Sequence, residues 1–277
     1  MDKFLPPGLY IVATPIGNLS DLSPRAADTL RRANLILAED TRVSGKLLKH
    51  VGATAQMRSY HDHTGDSERS EFVERLGTEA IALISDAGTP LISDPGYKLV
   101  RAARDADHPV HSVPGPSAAV AALSIGGLPT DRFLFLGFLP SKAAARAAAI
   151  REVAGVRATL VMYESGPRLG ETLAALAEEL RDREAAVARE LTKLHEECVT
   201  GSLMALVSRY ADAPPKGEIV ILVAPPAERP EPNDGELDAA LDEALRHLSP
   251  SRAAAEVAER LGIKRKRAYA RALERAK

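Results

Sequence analysis

Short apolar runs alternate with helical patterns along the first 225 residues, and this alternation constrains the fold more than any other feature of the chain. The runs that read as strands are residues 9–13, 35–38, 80–85, 110–113, 132–137, 158–163, 184–189 and 217–223. The helical patterns between them cover residues 24–33, 67–76, 97–104, 116–125, 142–153 and 167–180. Such alternation is typical of α/β proteins, in which helices cover mainly parallel sheets. We therefore predict an α/β fold with mainly parallel sheets.

Two segments rich in turn residues divide the chain of 277 residues into domains. This length exceeds that of a usual single domain, and the turn cluster GGLPTDR at 126–132 follows a helical pattern. We predict a first α/β domain over 1–126 and a second over 127–224. A stretch with four prolines predicts a semi-extended linker over 225–235, and a small all-helical domain over 236–277 follows it.

Cysteine content and hydropathy argue against several classes of protein. Cys198 is the only cysteine, so an intrachain disulfide is excluded and a reducing cytosol fits. No apolar stretch approaches the ~18–20 residues that a membrane span needs, and the first residues do not resemble a signal peptide. Histidines and cysteines are not clustered as in a structural zinc site. We expect a cytoplasmic protein without a membrane segment or a bound metal.

The C-terminal residues form a basic helix-turn-helix-like pattern. Ser249 and Pro250 predict the start of one helix, Gly262 predicts its end, and a second helix follows. From residue 264 onward there are seven Lys or Arg and one acid. A basic tail on a chain with a net charge of −2 indicates contact with one polyanion, although a solvated basic face is the alternative. The residues expected to contact RNA phosphates are Lys264, Arg265, Lys266, Arg267 and Arg271.

Three loops rich in glycine, proline and serine follow predicted strands, and each offers main-chain groups to a ligand. They are ATPIGNLSD at 13–21, SDAGTPLISDPG at 85–96 and PGPSA at 114–118. Ligands of open α/β sheets bind at the carboxyl ends of strands, where small residues allow close approach. Ordinary turns and close helix packing are the alternatives. Neither a GxGxxG fingerprint nor a GxxxxGK[ST] loop occurs, which argues against nicotinamide dehydrogenases and P-loop enzymes.

Three charged segments also follow strands, and they supply the candidate catalytic residues. In AEDTR at 38–42, Glu39 and Asp40 are candidates for a substrate hydroxyl and Arg42 for a phosphate, with a charged helix start as the alternative. YHDH contains His61, for which substrate contact, a surface turn and a metal site stay open. RELTKLHEE contains Lys193, with a charged edge as the alternative.

Nine ordered motifs over residues 8–224 resemble the tetrapyrrole methylase family, in the branch that modifies small-subunit ribosomal RNA. The motifs are ATPIGNLSD, AEDTR, YHDH, SDAGTPLISDPGY, PGPSA, GLPTDRFLFLGFLP, YES-P-RL, RE-TK-HEE and GEIVILV. The basic helical tail is also similar to that branch. Two departures stand out: ATPIGNLSD replaces the GxGPGD loop of cobalamin and sirohaem enzymes, and HTGD at 63–66 replaces an expected Asn-Glu, which puts contacts by residues 64–66 in doubt.

The resemblance implies two α/β domains with S-adenosylmethionine in the cleft between them. It implies 2′-O-methylation of a cytidine ribose in the decoding region of 16S rRNA, within the small ribosomal subunit, by a homodimer. The cofactor contacts carried over by position are Pro15, Gly88, Thr89, Pro90, Ile92, Ser93, Ser117, Ala118, Tyr163, Glu164, Gly217 and Glu218.

A general base should assist the ribose hydroxyl, which is a poor nucleophile near neutral pH. The candidates for this base are Asp40, His61, His63, Lys193 and Glu196. Among them, Asp40 or Lys193 is favoured near the hydroxyl, with Arg42 and His61 positioning the RNA backbone. Two other functions stay open: methylation of a tetrapyrrole carbon, and regulation through nucleic-acid binding by a metabolite sensor.

Overall fold

The computed structural model describes residues 5–211, 215–227 and 232–276, which form two compact units, Met1–Pro226 and Ala227–Lys277. The first unit contains two five-stranded sheets. The predicted α/β class is confirmed. Within the described residues, no helix has the length and apolarity needed to span a lipid bilayer.

The first sheet is entirely parallel, with the strand order β3-β2-β4-β1-β5. Its strands are β1 (Gly8–Val12), β2 (Leu35–Ala38), β3 (Gln56–Ser59), β4 (Ala80–Ile84) and β5 (Val110–Val113). The helices of this half are α1 (Pro24–Arg32), α2 (Thr41–Val51), α3 (Asp66–Arg75) and α4 (Tyr97–Asp105). Successive strand residues point to opposite faces, so Leu35 and Leu37 pack with α3 and α4 while Ile36 packs with α1 and α2. Burial on both faces explains the continuous apolar runs of the sequence.

The second sheet has the order β6-β7-β10-β8-β9, and only β6 and β7 are parallel neighbours. Its strands are β6 (Phe133–Phe138), β7 (Thr159–Ser165), β8 (Glu184–Arg189), β9 (Glu197–Ser202) and β10 (Glu218–Val223). Its helices are α6 (Ala143–Val153), α7 (Leu169–Leu180) and α8 (Leu203–Arg209).

The expectation of a mainly parallel sheet is wrong for this half. Strands joined by a helix do run parallel here, as β7 and β8 do, but β10 lies between those two strands in the opposite direction. The short connection from β8 to β9 contains no helix, so these two strands form an antiparallel pair.

Helix α5 (Ala118–Ile125) connects the two halves and packs on the second sheet. Its residues Ala119, Ala122 and Leu123 share a core with Val161 and Leu222 of that sheet. A Cβ on Gly126, where the helix ends, would lie 2.3 Å from a methyl carbon of Leu222. The helix was assigned to the first domain by sequence, and the boundary at residues 126–127 stays a prediction because both sheets belong to one compact unit.

In the described residues of the second unit there are three helices, α9 (Asp234–Leu245), α10 (Pro250–Leu261) and α11 (Arg265–Arg275). The predicted start of α10 after Ser249 and its end at Gly262, which has a φ of 66°, are both confirmed. Leu241, Val257 and Ala268 contribute to its core. The predicted linker 225–235 lies partly outside the described residues, and α9 begins within its last positions.

Candidate active site

A cavity of about 390 Å³ lies within the first unit, between the carboxyl ends of the first sheet and the second sheet. Its residues from the first half follow β1, β2, β4 and β5, and those from the second half include the ends of β6 and β7 and the start of β10. The lining residues are Ile16, Glu39, Asp86, Ala87, Gly88, Thr89, Ile92, Ser93, Asp94, Ser117, Ala118, Phe138, Tyr163, Glu164, Ser165, Leu191, Gly217, Glu218, Ile219 and Val220.

Ten of the twelve residues predicted to contact the cofactor line this cavity. They are Gly88, Thr89, Ile92, Ser93, Ser117, Ala118, Tyr163, Glu164, Gly217 and Glu218. Pro15 and Pro90 are not among the lining residues, although each is next in the chain to one that is. The structure therefore gathers residues separated by up to 130 positions in the sequence around one space.

Backbone hydrogen bonds join the first loop to the loop after β4. The amide of Thr14 donates to the carbonyl of Gly88 over 2.8 Å, and the amide of Gly88 donates back over 3.1 Å. Gly88 has a φ of 82°, which favours glycine. Leu91 and Ser93 also have positive φ values, of 74° and 66°, each at a cost of about 1 kcal/mol or more. Strained backbone at a cavity wall is typical of a functional loop.

The amino end of α5 faces the cavity. Ser117 is the N-cap residue, yet its side chain makes no capping hydrogen bond. Ser117 and Ala118 both line the cavity, so the first amides of the helix lie near any ligand there. Tyr163 lies against the same helix end. Burial raises the pKa of its hydroxyl, and hydrogen bonds with the Ala119 amide and with Ser117 act in the opposite direction.

Three carboxylates line the cavity: Glu39, which was predicted as a candidate for a substrate hydroxyl, and Asp86 and Asp94, which were not predicted as site residues. Burial raises the pKa of Asp94 to about 6, the charge of Asp86 adds to the shift, and a hydrogen bond with Ser85 opposes it. Burial also raises the pKa of Glu39, followed by the charges of Asp94, Asp86 and Asp62. The loop sequence SDAGTPLISDPG already contained Asp86 and Asp94, but nothing in it signalled the partial burial of Asp94.

Asp40 and Arg42 are occupied with each other and do not line the cavity. The Asp40 carboxylate caps α2 by accepting from the Arg42 amide over 2.8 Å, and it also accepts from the guanidinium over 3.1 and 2.7 Å. These hydrogen bonds with Arg42 lower the pKa of Asp40 to about 2. The Asp40 amide donates to Asp86 over 3.1 Å, so the pair lies directly behind the cavity wall.

His61 and His63 are exposed, and neither lines the cavity. Their rings lie 6.2 Å apart, centroid to centroid. They follow β3, which is the edge strand of the first sheet. The buried Thr64 accepts a hydrogen bond from the His61 amide over 3.0 Å, which gives this departure from the family pattern a structural role. In the described part of the chain, no three His, Cys, Asp or Glu side chains are grouped as a metal site would require.

Lys193 does not line the cavity, but it forms an ion pair with a residue that does. Its Nζ donates to Glu190 over 2.8 Å and to the cavity residue Glu218 over 2.9 Å. Burial works to lower the pKa of Lys193, but the hydrogen bonds with both glutamates outweigh it and the pKa is raised. A Cβ on Gly17 would lie 2.4 Å from Lys193 Cγ, so the first loop and this segment touch. Glu196 accepts from the Thr192 amide over 2.6 Å.

Glu164 also has a structural role. Its carboxylate is buried and accepts from the Thr172 hydroxyl over 2.7 Å and from the Ser165 amide over 2.8 Å. Arg168 lies 3.5 Å from the same carboxylate. Since these groups satisfy the side chain, we expect any contact of Glu164 with a ligand to use its main chain.

The basic residues of the second unit divide into two groups. Three arginines of α11 pair with three aspartates of α9, both sets spaced by four residues; the pairs are Arg267–Asp234, Arg271–Asp238 and Arg275–Asp242. The side chains of Lys264, Arg265 and Lys266 are exposed. Arg267 and Arg271, predicted to contact RNA, are thus engaged within the unit.

Comparison with known proteins identifies the class of methyltransferase to which this fold and cavity belong. The family model described as Tetrapyrrole (Corrin/Porphyrin) Methylases matches residues 8–207, so the chain belongs to the tetrapyrrole methylase family. A second model, described as the RsmI C-terminal HTH domain, matches residues 231–276.

Relatives similar over nearly the whole chain define its branch of the family. A protein of Erythrobacter litoralis named ribosomal RNA small subunit methyltransferase I is 54% identical, covering 98% of this chain and 96% of the relative. A protein of the same name from Mesorhizobium japonicum is 46% identical, covering 98% and 92%. The resemblance found in the sequence is confirmed.

Solved structures share the fold of the first unit. Diphthine synthase has a TM-score of 0.62 at 14% identity, covering 78% of this chain and 89% of that one. Uroporphyrin-III-C-methyltransferase from Thermus thermophilus has a TM-score of 0.55 at 20% identity, covering 78% and 93%. At these identities the likeness concerns the fold alone.

Proposed function

We propose that this protein transfers a methyl group from S-adenosylmethionine to the 2′-hydroxyl of a cytidine ribose in the decoding region of 16S rRNA. It acts on the small ribosomal subunit, in the cytoplasm, as a homodimer. The observation that carries the proposal is the cavity, which gathers ten residues predicted to contact this cofactor. The name shared by relatives of nearly full-length similarity supports small-subunit rRNA as the substrate.

Three properties of the cavity fit S-adenosylmethionine. Its volume of about 390 Å³ lies in the usual range for small-molecule sites, roughly 300–1,000 Å³. The amino end of α5 offers the partial positive charge of its first turn to a carboxylate. Glu39, Asp86 and Asp94 offer negative charge to the sulfonium and ammonium groups. When bound, the cofactor supplies an activated methyl group, so the protein's own residues have to align the ribose and accept its proton.

Asp94 is the group that we propose to accept the proton of the ribose hydroxyl. It lines the cavity, and its pKa of about 6 lies close to neutral pH, as suits a general base. Asp40, with a pKa of about 2, is a much weaker base. Lys193, whose pKa is raised, stays protonated at neutral pH. In this proposal Arg42 and His61 contact the RNA backbone, and Asp40 holds Arg42 in place.

We expect Lys193→Met to lower methyl transfer about tenfold, because charged hydrogen bonds of this kind contribute roughly 1.5–3 kcal/mol. Without the ammonium, the carboxylates of Glu190 and Glu218 repel each other at the cavity rim. Turnover on 30S subunits and cofactor affinity by calorimetry measure the effect. Lys193→Arg should restore part of the activity. The exposed Lys216 supplies a matched control, Lys216→Met, which should behave as wild type. Unchanged turnover of Lys193→Met would show that this residue does not contribute to the site.

The function itself is tested with 30S subunits from a strain that lacks the enzyme. The protein and methyl-labelled cofactor are added, and the modified nucleotide is mapped by nuclease digestion and mass spectrometry. The expected product is one cytidine in the decoding region whose 3′ linkage resists alkali, as 2′-O-methylation requires. Label on a base, or label found only on precorrin-type tetrapyrroles in a parallel reaction, would contradict the proposal.

A further inference from the structure

The unpaired cations of α11 are concentrated at the start of this helix. Arg267, Arg271 and Arg275 each have an aspartate partner on α9. By contrast, within the described residues no carboxylate forms an ion pair with Lys264, Arg265 or Lys266. The first turn of a helix is the unfavourable end for positive side chains, because the helix dipole places partial positive charge there. An anion bound there would offset this repulsion.

An exposed aromatic ring lies beside these cations. Tyr269 is 41% exposed and lies one turn after Arg265 on the same face of α11. Together with Ser251 of α10, the side chains of Arg265, Lys266 and Tyr269 line a shallow depression of about 280 Å³. Arg265 donates to the Ser251 hydroxyl over 3.2 Å, which fixes the guanidinium at the edge of this depression.

We propose that the depression formed by Ser251, Arg265, Lys266 and Tyr269 binds one unpaired nucleotide of RNA. The Tyr269 ring stacks on the base, and Arg265 and Lys266 hold the adjacent phosphate. This proposal rests on the proposed rRNA substrate and adds to it a second binding site, separate from the cavity that takes the reacting ribose.

The chemistry of the depression favours an unpaired nucleotide over a duplex. A single ring flanked by cations can stack on a base only when that base is free of its neighbours, as it is in single-stranded loops and ends. A duplex exposes its phosphates but buries the faces of its bases, so it would contact the cations without stacking on Tyr269. Single-stranded RNA should therefore stack on Tyr269, whereas duplex RNA should not.

Tyr269→Trp in the full-length chain gives a direct readout, because the natural sequence contains no tryptophan. We expect a single-stranded oligouridylate to quench the fluorescence of this sole tryptophan in a saturable, salt-sensitive way. An RNA duplex of the same length should bind with little quenching. Absence of quenching by the single strand, or equal quenching by both forms, would overturn the proposal.

A matched pair of variants separates stacking from apolar contact. Tyr269→Phe keeps the ring and should bind 30S subunits within twofold of wild type, whereas Tyr269→Leu should bind about tenfold more weakly, as expected for loss of one stacked base. Arg265→Gln combined with Lys266→Gln should reduce the slope of log affinity against log salt by about one to two. The exposed Arg246 supplies the control Arg246→Gln, which should leave the slope unchanged.

Cofactor affinity distinguishes failure of this site from failure of the proposed function. All of these variants should bind S-adenosylmethionine as tightly as wild type, since they lie in the second unit. Equal 30S affinity of Tyr269→Leu and wild type, with rRNA methylation intact, would refute the nucleotide site alone. Absence of rRNA methylation by the wild type would refute the proposed function whatever the variants do.

Discussion

Ser117→Trp is expected to abolish binding of S-adenosylmethionine. Ser117 lines the cavity at the first turn of α5, and an indole in its place would fill much of a space of about 390 Å³. Because Ser117 makes no capping hydrogen bond, its replacement removes no stabilising contact of that kind. Calorimetry should show at least a hundredfold weaker binding, about 2.7 kcal/mol or more, with an unchanged circular dichroism spectrum.

Ser124→Trp is the matched control for this substitution. Ser124 lies on the same helix but is exposed, and its hydroxyl contacts only the Ala121 carbonyl one turn before. We expect this variant to bind the cofactor as the wild type does. If Ser117→Trp also retained full affinity, the cofactor would have to bind somewhere other than the cavity.

Asp94→Asn is expected to stabilise the folded protein while removing most of its methyl transfer. The pKa of Asp94 is about 6 in the folded chain, above the ordinary value of 3.8. Between these values the folded state binds a proton that the unfolded state does not, so stability falls as pH rises through this window. At pH 8 the ionised Asp94 costs about 2 kcal/mol after allowance for screening by solvent, and the neutral amide avoids this cost.

Denaturant titrations at pH 5 and pH 8 measure this effect. The gain in the free energy of unfolding should be larger at pH 8, and the exposed Asp131 supplies a control, Asp131→Asn, that should show no gain at either pH. Methyl transfer by Asp94→Asn should fall by a factor of about 100 or more, as for loss of a general base, and should no longer rise with pH around 6. A variant as active as wild type would show that Asp94 is not the proton acceptor.

The positions of the loops that line the cavity could be predicted from the sequence because part of their constraint is local. A glycine with a positive φ, such as Gly88, is needed whatever the rest of the fold does. Strands buried on both faces were equally clear: the predicted strand 35–38 agrees with β2, and the predicted strand 80–85 agrees with β4 to within one residue. The edge strand β9 was missed because its residues are only half-buried and include Glu197 and Gly201.

The roles of the charged residues could not be predicted, because they depend on long-range placement. Glu39 and Asp40 are neighbours, yet Glu39 lines the cavity while Asp40 caps a helix. The raised pKa of Asp94 results from burial by distant segments, which no local pattern records. Likewise, the Asp238 partner of Arg271 lies on a helix 33 residues earlier, so the count of basic residues overstated the free positive charge.

The position of β10 in the middle of its sheet determines when the protein can become active during synthesis. Strands β7 and β8 do not pair with each other, and each keeps an open edge until the chain has been made to about Val223. The same strand supplies Glu218, Ile219 and Val220 to the cavity, so no earlier nascent chain contains the complete cavity. Shorter fragments instead expose apolar strand edges, which promotes aggregation. The cavity is thus completed only when the last strand of the α/β unit has been made.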